Sequence, residues 1–108
     1  MYYIEEAIAI DKSFTEKPIM KWHIIGRLTV DYINNNTTIE LASWKDKQAF
    51  LNREQSLVSF LTINDSPRFS VDPSLFALRA LTTVEGSPFY HKQVKCDYDL
   101  DHISQAWG

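Results

Sequence analysis

The stretch Trp22–Ser43, WHIIGRLTVDYINNNTTIELAS, decides the fold. Trp22, Ile24, Leu28, Val30 and Tyr32 share one parity, and His23, Arg27, Thr29 and Asp31 share the other. Successive side chains of a strand point to opposite faces, so the pattern predicts a strand with one apolar face and one mostly wet face. Gly26 interrupts the apolar face, which is the expected mark of a bulge or of a close backbone approach. Asn34, Asn35 and Asn36 follow, and Asn tolerates positive φ in tight turns. Thr37–Ser43 then runs with Ile39 and Leu41 on one face and Thr38 and Glu40 on the other.

The faces restrict the register. A two-residue turn at Asn34-Asn35 sets Val30 opposite Ile39, Leu28 opposite Leu41, Thr29 opposite Glu40 and Asp31 opposite Thr38. A one-residue slip moves every side chain to the other face, so an odd-length loop without a bulge is disfavoured.

Outward from the hairpin, Trp44–Gln55 breaks the alternation. Asp46 is placed to cap a short helix over Lys47–Arg53. Leu57–Ile63 reads as a third strand, with Leu57, Leu61 and Ile63 on one face and Val58 and Phe60 on the other. Apolar residues on both faces predict a central strand or one covered on both sides. Asp72-Pro73 is a helix start, a cap followed by Pro at the first helical position. Leu75, Leu78 and Leu81, with Phe76, Ala80 and Val84, form its apolar stripe, and Gly86 and Pro88 end it. This helix, Pro73–Glu85, is the expected cover of the sheet's apolar face. Tyr2–Ile10 alternates as a strand, with a helix as the rival reading because Glu and Ala are good helix formers. Asp11–Pro18 is a polar connection. Lys92–Tyr98 is a further candidate strand, and Asp99–Trp107 reads as a short helix or an irregular tail.

At 108 residues the chain is expected to form one domain able to bury a single core without staples. Hydrophobic residues are 44% and charged residues 23%, which places it among ordinary folded proteins rather than disordered ones. Net charge is −3, and the 11 Lys and Arg are scattered, so no basic nucleic-acid footprint is expected. The single cysteine, Cys96, excludes an internal disulfide and a four-cysteine zinc site, which suits the cytoplasm or a particle assembled there. Glu5 and Glu6 near the start, with no basic then apolar run, predict no signal peptide. No apolar run nears the ~18 residues of a membrane span.

Three clusters bear on chemistry. Asp97, Asp99 and Asp101 alternate like the first three ligand positions of an EF-hand loop, but its sixth and twelfth positions would be His102 and Gly108 instead of Gly and Glu. A solvated acidic turn is the plainer reading. His91, Cys96 and His102, with Asp97 or Asp101, offer zinc-ligating types without a recognised spacing. A half-buried thiol near surface histidines accounts for them as well. A Cys–His nucleophile pair would need an orienting group and an oxyanion hole. With only three glycines there is no phosphate loop, and neither G-x-S-x-G nor H-E-x-x-H occurs. Glu5-Glu6 reads as a solvated pair. The expectation is no enzyme, no cofactor and no bound metal. Among the aromatics, Tyr3, Trp44, Phe89 and Tyr90 become interface anchors if they are exposed, and core residues if they are not.

The run Thr38–Ala49, TIELASWKDKQA, resembles a stretch in small phage- and prophage-encoded virion and tail-associated proteins, where a strand ends in an Ala-Ser-aromatic step before a short charged segment. Leu57–Ile63 and Pro73–Tyr90 are similar to the strand and helix that follow there. The resemblance covers about half the chain and carries no catalytic motif. It implies a structural or assembly role and a virion location, and transfers no site residue.

Taken together, the expected fold is α+β: a mainly antiparallel sheet of four or five strands with one principal helix on one face, an all-β barrel or sandwich being the rival. The expected function is a non-enzymatic structural or interaction protein that forms homo-oligomers and binds neither nucleic acid nor membrane. The competing class is a small ligand-binding domain or enzyme with its site near His91, Cys96 and His102. Tyr2–Ile10 lacks Lys and Pro, so it is expected either at a sheet edge in a subunit contact or as an interior strand of the monomer.

Overall fold

The computed structural model describes residues 1–68 and 71–97. In chain order the elements are β1 (Tyr2–Tyr3), β2 (Ile8–Ala9), β3 (Ile19–Met20), β4 (Trp22–Asp31), β5 (Asn36–Trp44), α1 (Lys47–Leu51), β6 (Leu57–Ile63), α2 (Pro73–Thr83) and β7 (Lys95–Cys96). The architecture is α+β, and every strand pair among the described residues is antiparallel. β4, β5 and β6 form the central sheet in that order, while β1 pairs with β7 and β2 with β3 as short ribbons.

The hairpin loop is even in length but lies elsewhere than expected. Asp31 pairs with Asn36, which leaves Tyr32–Asn35 as a four-residue loop. The Asp31 carboxylate holds it by accepting from the backbone of Ile33 (3.0 Å) and Asn34 (3.1 Å) and from Asn34 Nδ2 (2.8 Å). Asn35 takes the left-handed conformation, φ 52°. Leu28 therefore faces Ile39 rather than Leu41, and Val30 faces Thr37 rather than Ile39. The displacement is two residues, so these side chains keep their face.

A larger correction sits at Gly26. The β4–β5 ladder runs Arg27↔Glu40 and then Ile25↔Leu41, so Gly26 is a bulge. An extra residue in one strand inverts the parity beyond it. His23 and Ile25 consequently share a face with Leu28, Ile39 and Leu41. Trp22 and Ile24 point the other way. His23, expected on the wet face, is fully buried.

The sheet thus has two partly covered faces. On the first, Ile39, Leu41 and Ile63 pack with Ala77, Leu78 and Leu81 of α2, with Phe89, and with Ile4, Ile8 and Ile10. α2 begins where expected: the Asp72 carboxylate accepts from the Ser74 and Leu75 amides with Pro73 in the first turn. On the second face, Trp22, Ala42 and Trp44 pack with Ala49 and Phe50 of α1. Asp46 caps α1 by accepting from the Ala49 amide at 2.8 Å. Trp22 stacks between Tyr3 (4.1 Å) and Phe50 (5.5 Å), and Phe50 meets Trp44 edge-on.

Tyr2–Ile10 belongs to the fold of the single chain. Ile4, Ile8 and Ile10 are buried, and Ile4 exchanges two 3.0 Å backbone bonds with His23 along the outer edge of β4. Among the described residues no helix is long and apolar enough to cross a membrane.

Candidate functional site

Among the described residues β6 is the last strand of its sheet, so one of its edges lacks a strand neighbour. This corrects the expectation of a central or doubly covered strand. The first-face residues Leu57, Leu61 and Ile63 turn toward the α2 core. Val58 and Phe60 occupy the second face beyond the reach of α1, and Phe60 is 67% exposed. The strand reads LVSFLTI, with no charge, no proline and no bulge.

Exposed edges are normally guarded against pairing with foreign strands. The opposite edge, β4, has three such guards: the Gly26 bulge, the charges of Arg27 and Asp31, and the Ile4 backbone laid along it. Arg27 also reaches Glu40 across the ladder, 3.8 Å away. β6 has none. Its unpaired edge and exposed Phe60 set it apart from the rest of the sheet.

Two grooves flank this edge. One, about 740 Å³, lies between the Ile63 end of β6 and α2, with Leu61, Phe76, Ala80 and Val84 as its apolar walls and Arg79 and Asp65 at its rim. The other, about 460 Å³, follows the middle of the strand between Phe60 and the Ile10, Pro88 and Phe89 side chains. Backbone edge and apolar grooves together form a surface suited to an extended segment. Main-chain hydrogen bonds supply the affinity in such additions, and alternate side-chain pockets supply the selectivity.

The anchors named from sequence separate by burial. Trp44 and Phe89 are core residues, and the Trp44 indole N–H donates to the Glu54 carbonyl at 2.8 Å. Neither meets the exposure condition for an interface anchor. Tyr3 is half-buried on Trp22, and burial, aided by Glu5, raises its hydroxyl's pKa. Tyr90 is half-buried, with its ring 3.8 Å from that of His91. His91 and Cys96 are exposed, and neither groove described above is lined by them. Asp99, Asp101 and His102 lie outside the described residues. Among the described residues no three His, Cys, Asp or Glu side chains are grouped to hold a metal ion.

The structure assembles one polar pair that the periodicity concealed. His23 Nδ1 lies 2.8 Å from Ser43 Oγ, and Nε2 lies 2.9 Å from the Glu6 carbonyl. A carbonyl only accepts, so Nε2 carries the proton and donates it. Burial lowers the His23 pKa, with the Glu6 and Met20 carbonyls opposing, so the ring is neutral and Nδ1 accepts from the Ser43 hydroxyl. Nucleophile and base are adjacent here, as hydrolytic chemistry requires. Both side chains are fully buried, however, and the Phe89 ring closes over His23 at 4.9 Å. No substrate reaches them in this conformation, and the pair acts as a satisfied cross-strand link. Only a bulge at Gly26 brings it inside, and the glycine was the one available signal.

Comparison with protein-family models, curated proteins and solved structures finds no match for the chain.

Proposed function

We propose that the chain is a non-enzymatic interaction module that assembles by adding a strand to the free edge of β6. The observation that carries the reading is the contrast between the two sheet edges. β4 is bulged, charged and covered at its Ile4 end, whereas β6 is apolar and uncharged, and its outer edge is unpaired among the described residues. The resemblance of Thr38–Ala49 to phage virion and tail proteins supports a role in particle assembly, where repeated subunit contacts are required.

Amide hydrogen exchange tests the reading residue by residue. In dilute monomer, the β6 amides that point away from β5 exchange rapidly, and they become protected when the protein assembles. Slow exchange of those amides in a sample shown to be monomeric sinks the reading, because the edge is then covered within one copy. A gene neighbourhood of capsid and tail components tests the phage assignment separately.

A further inference from the structure

We infer that the partner strand is β6 of a second copy, paired antiparallel about a two-fold axis beside Phe60. This rests on the β6 reading above and adds the identity of the occupant. A two-fold contact uses the same patch twice, so the patch must be complementary to itself. Centred on Phe60, the strand meets this condition at every position. Leu57 faces Ile63 of the partner, Val58 faces Thr62, Ser59 faces Leu61, and Phe60 meets its own copy. Each pair keeps both members on the same face of the sheet, as an even alternation requires. No position opposes like charges, because the strand contains none. The nearest cross-strand neighbour of Phe60 is Glu40, and Arg27 offsets its charge. The result is a six-stranded sheet, β4-β5-β6 continued by its two-fold mate.

The same register accounts for a second feature. Phe14 is fully exposed in the polar connection after Ile10. Lys12 and Lys17 of that connection line a depression together with Leu57, so it stands at the Leu57 end of β6. The apolar groove beside α2 stands at the Ile63 end. Antiparallel pairing sets the Leu57 end of one copy beside the Ile63 end of the other. The connection that carries Phe14 in each copy then lies at the same end of the paired strands as the other's groove, so this exposed ring faces an apolar surface on each side of the axis.

Sedimentation equilibrium of the full chain tests the inference. The expected species is about 25 kDa, twice the 12.5 kDa of one chain. Phe60→Lys, at an exposed position, places two cations on the axis and is expected to return the mass to one chain with an unchanged circular-dichroism spectrum. Thr29→Lys, exposed on the same face of β4, carries the same charge change and should remain dimeric. Register is read by disulfide formation in a Cys96→Ser background. Phe60→Cys should cross-link, since directly opposed Cα atoms lie about 4.5–5.5 Å apart. Val58→Cys should not, because its two copies are offset by four residues, about 14 Å. If Phe60→Lys does not fold, Val58→Lys and the cross-links decide. A dimer that survives both lysine variants, or one cross-linked at residue 58 and not at 60, overturns the inference. A monomeric wild type with rapidly exchanging β6 amides also overturns it, while leaving strand addition by another protein standing. Protected amides in a monomer overturn both.

Discussion

His23 Nδ1 and Ser43 Oγ lie 2.8 Å apart across the β4–β5 ladder, with neither side chain reaching solvent. Ser43→Ala removes the donor and leaves a buried acceptor unsatisfied, at an expected cost of about 1–3 kcal/mol in urea unfolding. Adding His23→Leu removes both polar partners and is expected to cost less than the sum of the two single changes. Strict additivity would show that the hydrogen bond contributes nothing.

The pair also predicts a pH dependence. In the unfolded chain His23 titrates near its ordinary 6.5, whereas burial lowers its pKa in the folded chain. Between those two points the unfolded chain binds more protons, so stability is complete above about pH 6.5 and falls as the pH drops below it. One proton limits the slope to about 1.4 kcal/mol per pH unit. Asp31 and Asp72 have carboxyls held below the ordinary 3.8, by hydrogen bonds from the Asn34 and Ser74 side chains first of all, and so act in a lower window. Urea unfolding at about pH 7.5 and about pH 5 measures the effect. Equal slopes in the wild type and in His23→Leu/Ser43→Ala would mean that His23 is not the titrating group.

Gly26 is the residue that the β4–β5 ladder skips, and the bulge does not depend on its lack of a side chain. A Cβ built there meets the Glu40 carbonyl oxygen and Oε2 at 3.5 Å and Ala42 Cβ at 3.8 Å, all ordinary contacts. Gly26→Ala is therefore expected to shift stability by less than about 1 kcal/mol. Deleting Gly26 joins Ile25 directly to Arg27, so the pairs Ile25↔Leu41 and Arg27↔Glu40 become consecutive rungs of a regular ladder, every side chain keeps its face, and the chain should fold. Loss of the cooperative thermal transition in the deletion variant would refute this assignment of the bulge.

Deleting residues 1–10 removes Ile4, Ile8 and Ile10 from the core. Each buried side chain contributes about 1.5–3 kcal/mol, and together they approach the ~5–15 kcal/mol total stability of a domain. The truncated chain is expected to be unfolded by circular dichroism. A folded product of smaller mass would instead place Tyr2–Ile10 in a subunit contact.

Asp72→Ala removes the acceptor for the Ser74 and Leu75 amides, at 2.9 and 3.3 Å. Loss of such a cap costs about 1 kcal/mol, read as a lower urea midpoint with unchanged slope. Asp72→Asn retains a capping acceptor and should recover most of it. Equal losses in both variants would assign the effect to charge rather than capping.

Local chemistry determined much of this protein. Alternation marked β5 and β6, Asp46 and Asp72-Pro73 marked both helix starts, and glycine marked the bulge, because each signal acts within a few residues. Tertiary structure alone decided which face each residue before Gly26 occupies, since one inserted residue inverts parity and a glycine does not announce whether it is inserted. It also decided that β6 is an edge. Apolar residues on both sides of Leu57–Ile63 read equally as a buried centre or as a surface awaiting a partner. Only the neighbours separate these readings: α1 stops over Trp22 and Trp44, and β6 ends the sheet, leaving Phe60 bare. The distinction depends on contacts between segments distant in sequence, and no periodicity within one strand records them.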